Sequence, residues 1–218
     1  MITIPEIQNI ILNTNPHSYY ETYMKYENNY WNNIPQWIID YSKNKKINNI
    51  LDIGCGYGTL GLFTKLNTNA NLYCIDFMQY ASNDLIEKYN INYKLNNIET
   101  EEFPWDIKFE ICNFTEIFEH LNCNCIKTLT KIKNLLTDDG VIFFSTPNAS
   151  TWGKLNQYNS WKDIPEIVDI LEDKHIYQYF ESELFEIFKM VGLKIDKSKL
   201  SKSINGFDHF NIQLSKVK

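Results

Sequence analysis

The sequence predicts one α/β domain, a doubly wound and mostly parallel sheet of seven strands with an antiparallel last strand. Three observations carry that prediction. Short apolar runs alternate with helix-period segments from Asn49 to Ser145, the pattern of a parallel sheet with helices on its faces. The first run enters a glycine-rich turn, Leu51-Asp52-Ile53-Gly54-Cys55-Gly56-Tyr57-Gly58, and then a helix. The chain closes on a hairpin signalled by Asn205-Gly206, where other nucleotide-binding sheets end in a further helical crossover.

A chain of 218 residues has room for one sizeable core. Its net charge of −6 disfavours a nucleic-acid partner, because phosphate binding shows as a basic face. The one dense basic run, Lys194, Lys197, Lys199 and Lys202, reads as a solvated face. No apolar run approaches the roughly 18 residues that span a bilayer, so no membrane partner is expected. The start, MITIPEIQNIILN, lacks the basic region and cleavage site of a signal peptide. Cys55, Cys74, Cys112, Cys123 and Cys125 are odd in number and read as buried free thiols of a reducing cytoplasm. Cys123 and Cys125 have no second pair at zinc spacing.

Residues 1–46 read as a helical cap. Ile7, Ile10 and Ile11 fit one short amphipathic helix, and Gln36 to Lys43 another. An aromatic cluster accompanies them: Tyr19, Tyr20, Tyr23, Tyr26, Tyr30, Trp31 and Trp37. It is expected to pack on the sheet, with a tyrosine or two lining the ligand site. Residues 47–148 form the core, with strands at Asn49–Ile53, Leu72–Ile75, Ile91–Leu95, Phe109–Phe114 and Val141–Ser145. Helices are expected at Thr59–Leu66, Ser82–Lys88 and Asn124–Leu136, and a turn at Asp138-Asp139-Gly140. Residues 149–180 are aromatic and irregular, and long connections of this kind serve as lids. Residues 181–218 supply a helix ending before Gly192, a strand at Leu193–Ile195 and a last strand in which Phe210, Ile212 and Leu214 alternate. His17 and His209 have no evident partner, and His209 reads as structural.

Ligands of such sheets bind at the carboxyl ends of the strands. Gly54, Gly56 and Gly58 permit left-handed turns and a close approach by a ligand, at which the next helix points its free N–H groups. No Lys-Ser/Thr follows them, so this is not a triphosphate loop, and Asp52 places a negative charge where a phosphate loop has none. Asp76 comes 22 positions after Gly54, the offset of an acid that accepts hydrogen bonds from ribose hydroxyls; it disfavours a 2′-phosphate.

The string Leu51 to Gly61, with Glu119-His120-Leu121 after the fourth strand and Ser145-Thr146-Pro147-Asn148 ending the fifth, resembles the class I S-adenosylmethionine (SAM) methyltransferases. It is most similar to the branch of ubiquinone-type O-methyltransferases and small-RNA 3′-end methyltransferases, over about residues 48–150. The resemblance implies a Rossmann-like fold, SAM as cofactor, and Asp52, Gly54, Cys55, Gly56, Tyr57 and Gly58 at its amino-acid end. It implies Asp76 at the ribose, Asn97 and Ile98 at the adenine, and Phe77 and Phe114 completing the pocket. Asn97 stands where the family commonly has Asp, which leaves Ile98 the better contact.

In both subfamilies Glu-x-x-Glu-His is associated with a divalent metal. Carried onto this chain, that implies Mg²⁺-like binding through Glu116, Glu119 and His120, the histidine widening the choice toward Mn²⁺ or Zn²⁺. The distant histidine of the small-RNA enzymes corresponds to His175, 55 positions after His120. The same trio also reads without a metal, His120 serving as base or packing. Glu119, His120 and His175 are the candidate catalytic residues. The expected activity is methyl transfer to an oxygen or nitrogen of a small polar metabolite such as a sugar derivative. The alternatives are a metal-dependent RNA 2′-O-methyltransferase and a SAM-binding protein without catalysis. The oligomeric state is left open, a homodimer included.

Overall fold

β1 (Asn49–Ile53) is an interior strand of a seven-stranded sheet. Beside it are β2 (Asn71–Asp76) and β3 (Asn92–Leu95) on one side, and β4 (Phe109–Thr115), β5 (Leu136–Pro147), β7 (Asp208–Lys216) and β6 (Leu193–Lys202) on the other. The order is therefore β3-β2-β1-β4-β5-β7-β6. All pairs are parallel except those of β7, which runs antiparallel between β5 and β6. This computed structural model describes residues 1–14, 19, 23–154 and 157–218, with Asn28 by its backbone only. His17 and Tyr20 lie outside the described residues.

Alternation along the strands builds two cores, because successive side chains leave opposite faces of a sheet. Ile50, Leu72, Ile111 and Phe143 pack with α1 (Ile4–Leu12), α3 (Ile34–Ser42) and α4 (Thr59–Thr68). Leu51, Cys112, Ile142 and Phe144 pack on the other face with α6 (Cys125–Leu135) and α8 (Glu181–Met190). The remaining helices are α2 (Met24–Tyr30), α5 (Asn83–Lys88) and the single turn α7 (Ala149–Trp152). Local chemistry sets several helix starts. Ser82 Oγ accepts from Leu85 N–H at 3.2 Å, and Asn124 Oδ1 from Ile126 N–H at 3.2 Å. All five cysteines are buried and free, and no helix among the described residues is long and apolar enough to cross a membrane.

Three boundaries differ from the sequence reading. Asp138-Asp139-Gly140 does not separate a helix from a short strand but lies within β5. Leu136 already pairs with Phe109, and the register jumps to Ile111↔Val141, so the turn residues are an irregularity carried by the sheet. β6 extends to Lys202, so the lysine run is an edge strand, its length obscured by the shift between Ile195 and Lys197. The aromatic insertion after β5 contains α7 and a 3₁₀ turn at Trp161–Asp163.

Candidate active site

A cleft of about 680 Å³ opens at the carboxyl ends of β1, β2, β4 and β5. That size suits a cofactor-sized ligand. Its floor is the turn after β1. Gly54, Gly56 and Gly58 have φ of 63°, 52° and 87°, all in the left-handed region. Gly54 and Cys55 donate their N–H groups to Ile75 O at 2.9 and 3.3 Å, which fixes the turn against β2. Asp76 ends β2 and is gripped by the turn: its Oδ2 accepts from Gly56 N–H at 2.9 Å and its Oδ1 from Met78 N–H at 3.2 Å. The spacing of 22 residues thus brings acid and glycines together at one point. Burial raises the Asp76 pKa.

Tyr57 sits in the turn within a run of rings, with centroids 5.0 Å from Tyr19, 5.6 Å from Tyr23 and 5.7 Å from Tyr80. Cys55, Phe77, Asn97 and Ile98 also line the cleft. Asn97 Oδ1 already accepts from Glu99 N–H at 2.9 Å, while Ile98 is buried against the cleft wall. Asp52 reaches the cleft, but its carboxylate is folded under α4. The position a Cβ would take at Gly61 lies 2.5 Å from Asp52 Oδ2, so only glycine fits there. Burial pushes the Asp52 pKa up to about 7. Phe114 is not part of the cleft wall. Its side chain points into the core, toward Phe118 and Phe144 at 6.2 and 6.1 Å, because it alternates with cleft-facing Thr115.

The far end of the cleft is built by the turn after β4. Glu116 has φ of 54°, an uncommon backbone state for a non-glycine residue. The conformation is held by Glu116 N–H donating to Ser145 O at 2.9 Å. It aims the carboxylate at β5 and β7, where Oε1 accepts from Ser145 Oγ at 2.7 Å and Oε2 lies 2.9 Å from His209 Nδ1. His209, read from the sequence as structural and partnerless, is therefore part of the site. The antiparallel β7 places it opposite Pro147, a contact invisible in a linear pattern. It stacks on Tyr30 at 4.4 Å and meets Trp152 edge-on at 5.4 Å.

Glu119 is fully buried and accepts from Thr146 Oγ1 at 2.9 Å. Burial and the neighbouring Glu116 carboxylate push its pKa well above the carboxylate range. His120 and His175 pack edge to face at 4.7 Å, although they are far apart in sequence. The chain around His175 is tied down by Ile176 N–H donating to Glu119 O at 2.7 Å. Burial lowers both imidazole pKa values, His175 to about 4. Asp173 approaches His120 Nδ1 to 3.8 Å.

The ligand set implied for a metal is rearranged. Glu116 is engaged by Ser145 and His209, whereas ligand atoms of Glu119, His120 and His175 lie within 4.8 Å of one another. One carboxylate and two imidazoles do not make the oxygen-rich set that Mg²⁺ requires. These residues therefore do not fit magnesium.

Sequence reasoning also missed Glu27. This buried carboxylate accepts from Tyr19 Oη, from Thr59 Oγ1 at 2.7 Å and from Gln8 Nε2 at 3.2 Å, tying the N-terminal cap to the first turn of α4. The aromatic spacing pointed to that region, but nothing in the sequence paired Glu27 with Thr59.

The glycine turn, the acid on β2 and the sheet with β7 inserted antiparallel define a class I SAM-dependent methyltransferase. The chain belongs to the methyltransferase-domain family, whose model matches residues 23–198. Among solved structures it is similar to the N-methyltransferase NodS from Bradyrhizobium japonicum WM9 in complex with S-adenosylhomocysteine (SAH). The identity is 13%, the match covers 97% of this chain and 99% of that one, and the TM-score is 0.63. It is also similar to the 1,6-didemethyltoxoflavin-N1-methyltransferase of Burkholderia thailandensis with bound 1,6-didemethyltoxoflavin and SAH, at 14% identity, 100% and 92% coverage and a TM-score of 0.63. A third similar structure is the cyclase SpnF, at 10% identity, 86% coverage of both chains and a TM-score of 0.65. These likenesses establish the fold, and the cyclase shows that methyl transfer does not follow from the fold alone; the family match carries the activity. No match was found among curated protein sequences.

Proposed function

We propose that this protein transfers the SAM methyl group to an oxygen or nitrogen of a small polar acceptor held at the far end of the cleft. The observation that carries the reading is the division of one cleft. The glycine turn and Asp76 stand at one end, and Tyr30, Trp152 and the Glu116–His209 pair stand at the other. In this reading the glycines lie under the amino-acid end of SAM, Asp76 accepts from the ribose hydroxyls and Ile98 covers the adenine.

Methyl transfer is an in-line displacement. The acceptor lone pair forms a bond to the methyl carbon as the S–C bond breaks and sulfur becomes a neutral thioether. The protein's main contribution is alignment and exclusion of water, and good alignment supplies about 7–11 kcal/mol. Tyr23, Tyr26, Tyr30 and Trp152 supply walls that position the acceptor. NodS and the toxoflavin enzyme are both named as methylating nitrogen, which supports a heteroatom acceptor here. An RNA acceptor is disfavoured, because no Lys or Arg is among the described lining residues.

The test is incubation with methyl-labelled SAM and either a protein-free metabolite extract or total RNA. The reading expects label in a small polar product and none in RNA. Label in RNA, or SAM bound without transfer to any extract, would contradict it.

A further inference from the structure

The far end of the cleft carries negative charge and aromatic walls, and no lysine is among the described residues that line it. We propose that the methyl acceptor is a positively charged amine, seated against the aromatic walls of Tyr30 and Trp152 and beside the carboxylates of Glu116 and Asp173. This rests on the methyl-transfer reading above and names the substrate class it uses.

The first support is charge. The chain contains no arginine, and none of its lysines is among the described residues that line the cleft. The nearest lysine in sequence, Lys174, is paired with Glu172 at 2.6 Å. A phosphate or carboxylate group brought here would be desolvated beside like charge, which costs free energy with nothing to repay it.

The second support is shape and ring chemistry. Tyr26 and Tyr30 are stacked at 5.6 Å with Lys25 Nζ over the Tyr26 ring at 4.9 Å, Tyr30 continues onto His209 at 4.4 Å, and Trp152 meets His209 edge-on at 5.4 Å. Ring faces attract an ammonium through their quadrupoles, most strongly where water is excluded. The third support is unused acceptor capacity. Glu116 accepts from Ser145 Oγ and lies against His209 Nδ1, and a carboxylate accepts about four hydrogen bonds. An ammonium brings up to three donors, whereas a hydroxyl brings one. Asp173, half exposed at the mouth, adds a charge that an incoming cation meets first.

The chemistry balances. The ammonium releases one proton to solvent at the mouth, which exposes the nitrogen lone pair. The N–CH₃ bond forms as the S–CH₃ bond breaks, the positive charge passes from sulfur to the methylated nitrogen, and SAH leaves.

The experiment is calorimetry on the full chain saturated with SAH, in buffer containing EDTA so that no divalent ion occupies the acidic floor. The probes are putrescine against 1,4-butanediol, and benzylamine against benzyl alcohol and benzyl phosphate. At least one amine should bind about tenfold tighter than its matched alcohol, and the phosphate should give no heat. Asp173→Asn should weaken that amine severalfold and leave the alcohol unchanged. An alcohol or phosphate that binds tighter than its matched amine overturns the proposal, as does SAH-loaded protein that binds neither amine. Protein that folds but does not bind SAH would instead overturn the methyltransferase reading itself.

Discussion

Two alanine substitutions in the glycine turn separate folding from cofactor binding. At Gly54 a Cβ would lie 2.1 Å from Ile117 Cδ1 and 2.5 Å from its Cγ1, with φ at 63°. The left-handed backbone costs an alanine about 1–2 kcal/mol, and overpacking against Ile117 adds about 1–3 kcal/mol. Gly54→Ala should therefore lose about 2–5 kcal/mol of unfolding free energy. At Gly56 the φ is 52° and no heavy atom lies within 4 Å of the Cβ position. Gly56→Ala should lose only about 1–2 kcal/mol in the absence of ligand. Its new methyl enters the cleft where the cofactor approaches the backbone, so SAM affinity should fall by about tenfold or more even though the fold survives. Urea unfolding supplies the stabilities and calorimetry the affinities. Gly56→Ala that binds SAM like the wild type would refute the placement of the cofactor over this turn. Equal stability losses in the two variants would refute the packing argument.

Three further outcomes follow from the site. Asp76→Ala removes the acceptor expected at the ribose and the grip on Gly56 N–H, so calorimetry should show SAM affinity lowered about 10–100-fold, in line with about 1.5–3 kcal/mol for a hydrogen bond to a charged group; unchanged affinity would remove the ribose assignment. Burial pushes the Asp52 pKa up to about 7, from an ordinary carboxyl value of 3.8, so between these values the folded state holds a proton that the unfolded state has lost. Its stabilising contribution is present at low pH and disappears as pH rises toward 7. Asp52→Asn should flatten that part of the stability–pH curve, with the two proteins diverging by up to about 4 kcal/mol above pH 7 in urea titrations; parallel curves would contradict the buried proton. Finally, added Mg²⁺ should change methyl transfer by less than about twofold, since one carboxylate and two imidazoles serve it poorly; strict dependence on Mg²⁺ would restore the magnesium expectation.

The fold was legible because its signals are local. Ile50, Leu51 and Ile53 announce a buried strand, and the glycines after them have few other uses. The Asn205-Gly206 turn led correctly to a terminal hairpin and so to the antiparallel β7. Legibility failed where regularity breaks within an element. Asp138-Asp139-Gly140 has turn chemistry, yet Leu136 pairs with Phe109 and carries the strand through it. In the site, Asp76 was readable because its spacing from Gly54 reflects the length of a strand–helix–strand unit. His209 was not, because its partner Glu116 lies 93 residues away and only the pairing of β5 with β7 brings the two together. The family resemblance implies a metal role for Glu116, but its left-handed backbone turns it toward Ser145 and His209. The acceptor pocket was the least legible part, since its walls come from α2, α7 and the segment before α8, which share no sequence pattern.

The measurement that bears most directly on the central claim is calorimetric titration of the folded wild-type protein with SAM and then SAH, repeated with Asp76→Ala. The account predicts one site per chain, mutual competition between the two ligands, and loss of affinity in the variant. A folded wild type that binds neither ligand, or binds both unchanged without the Asp76 carboxylate, would contradict it.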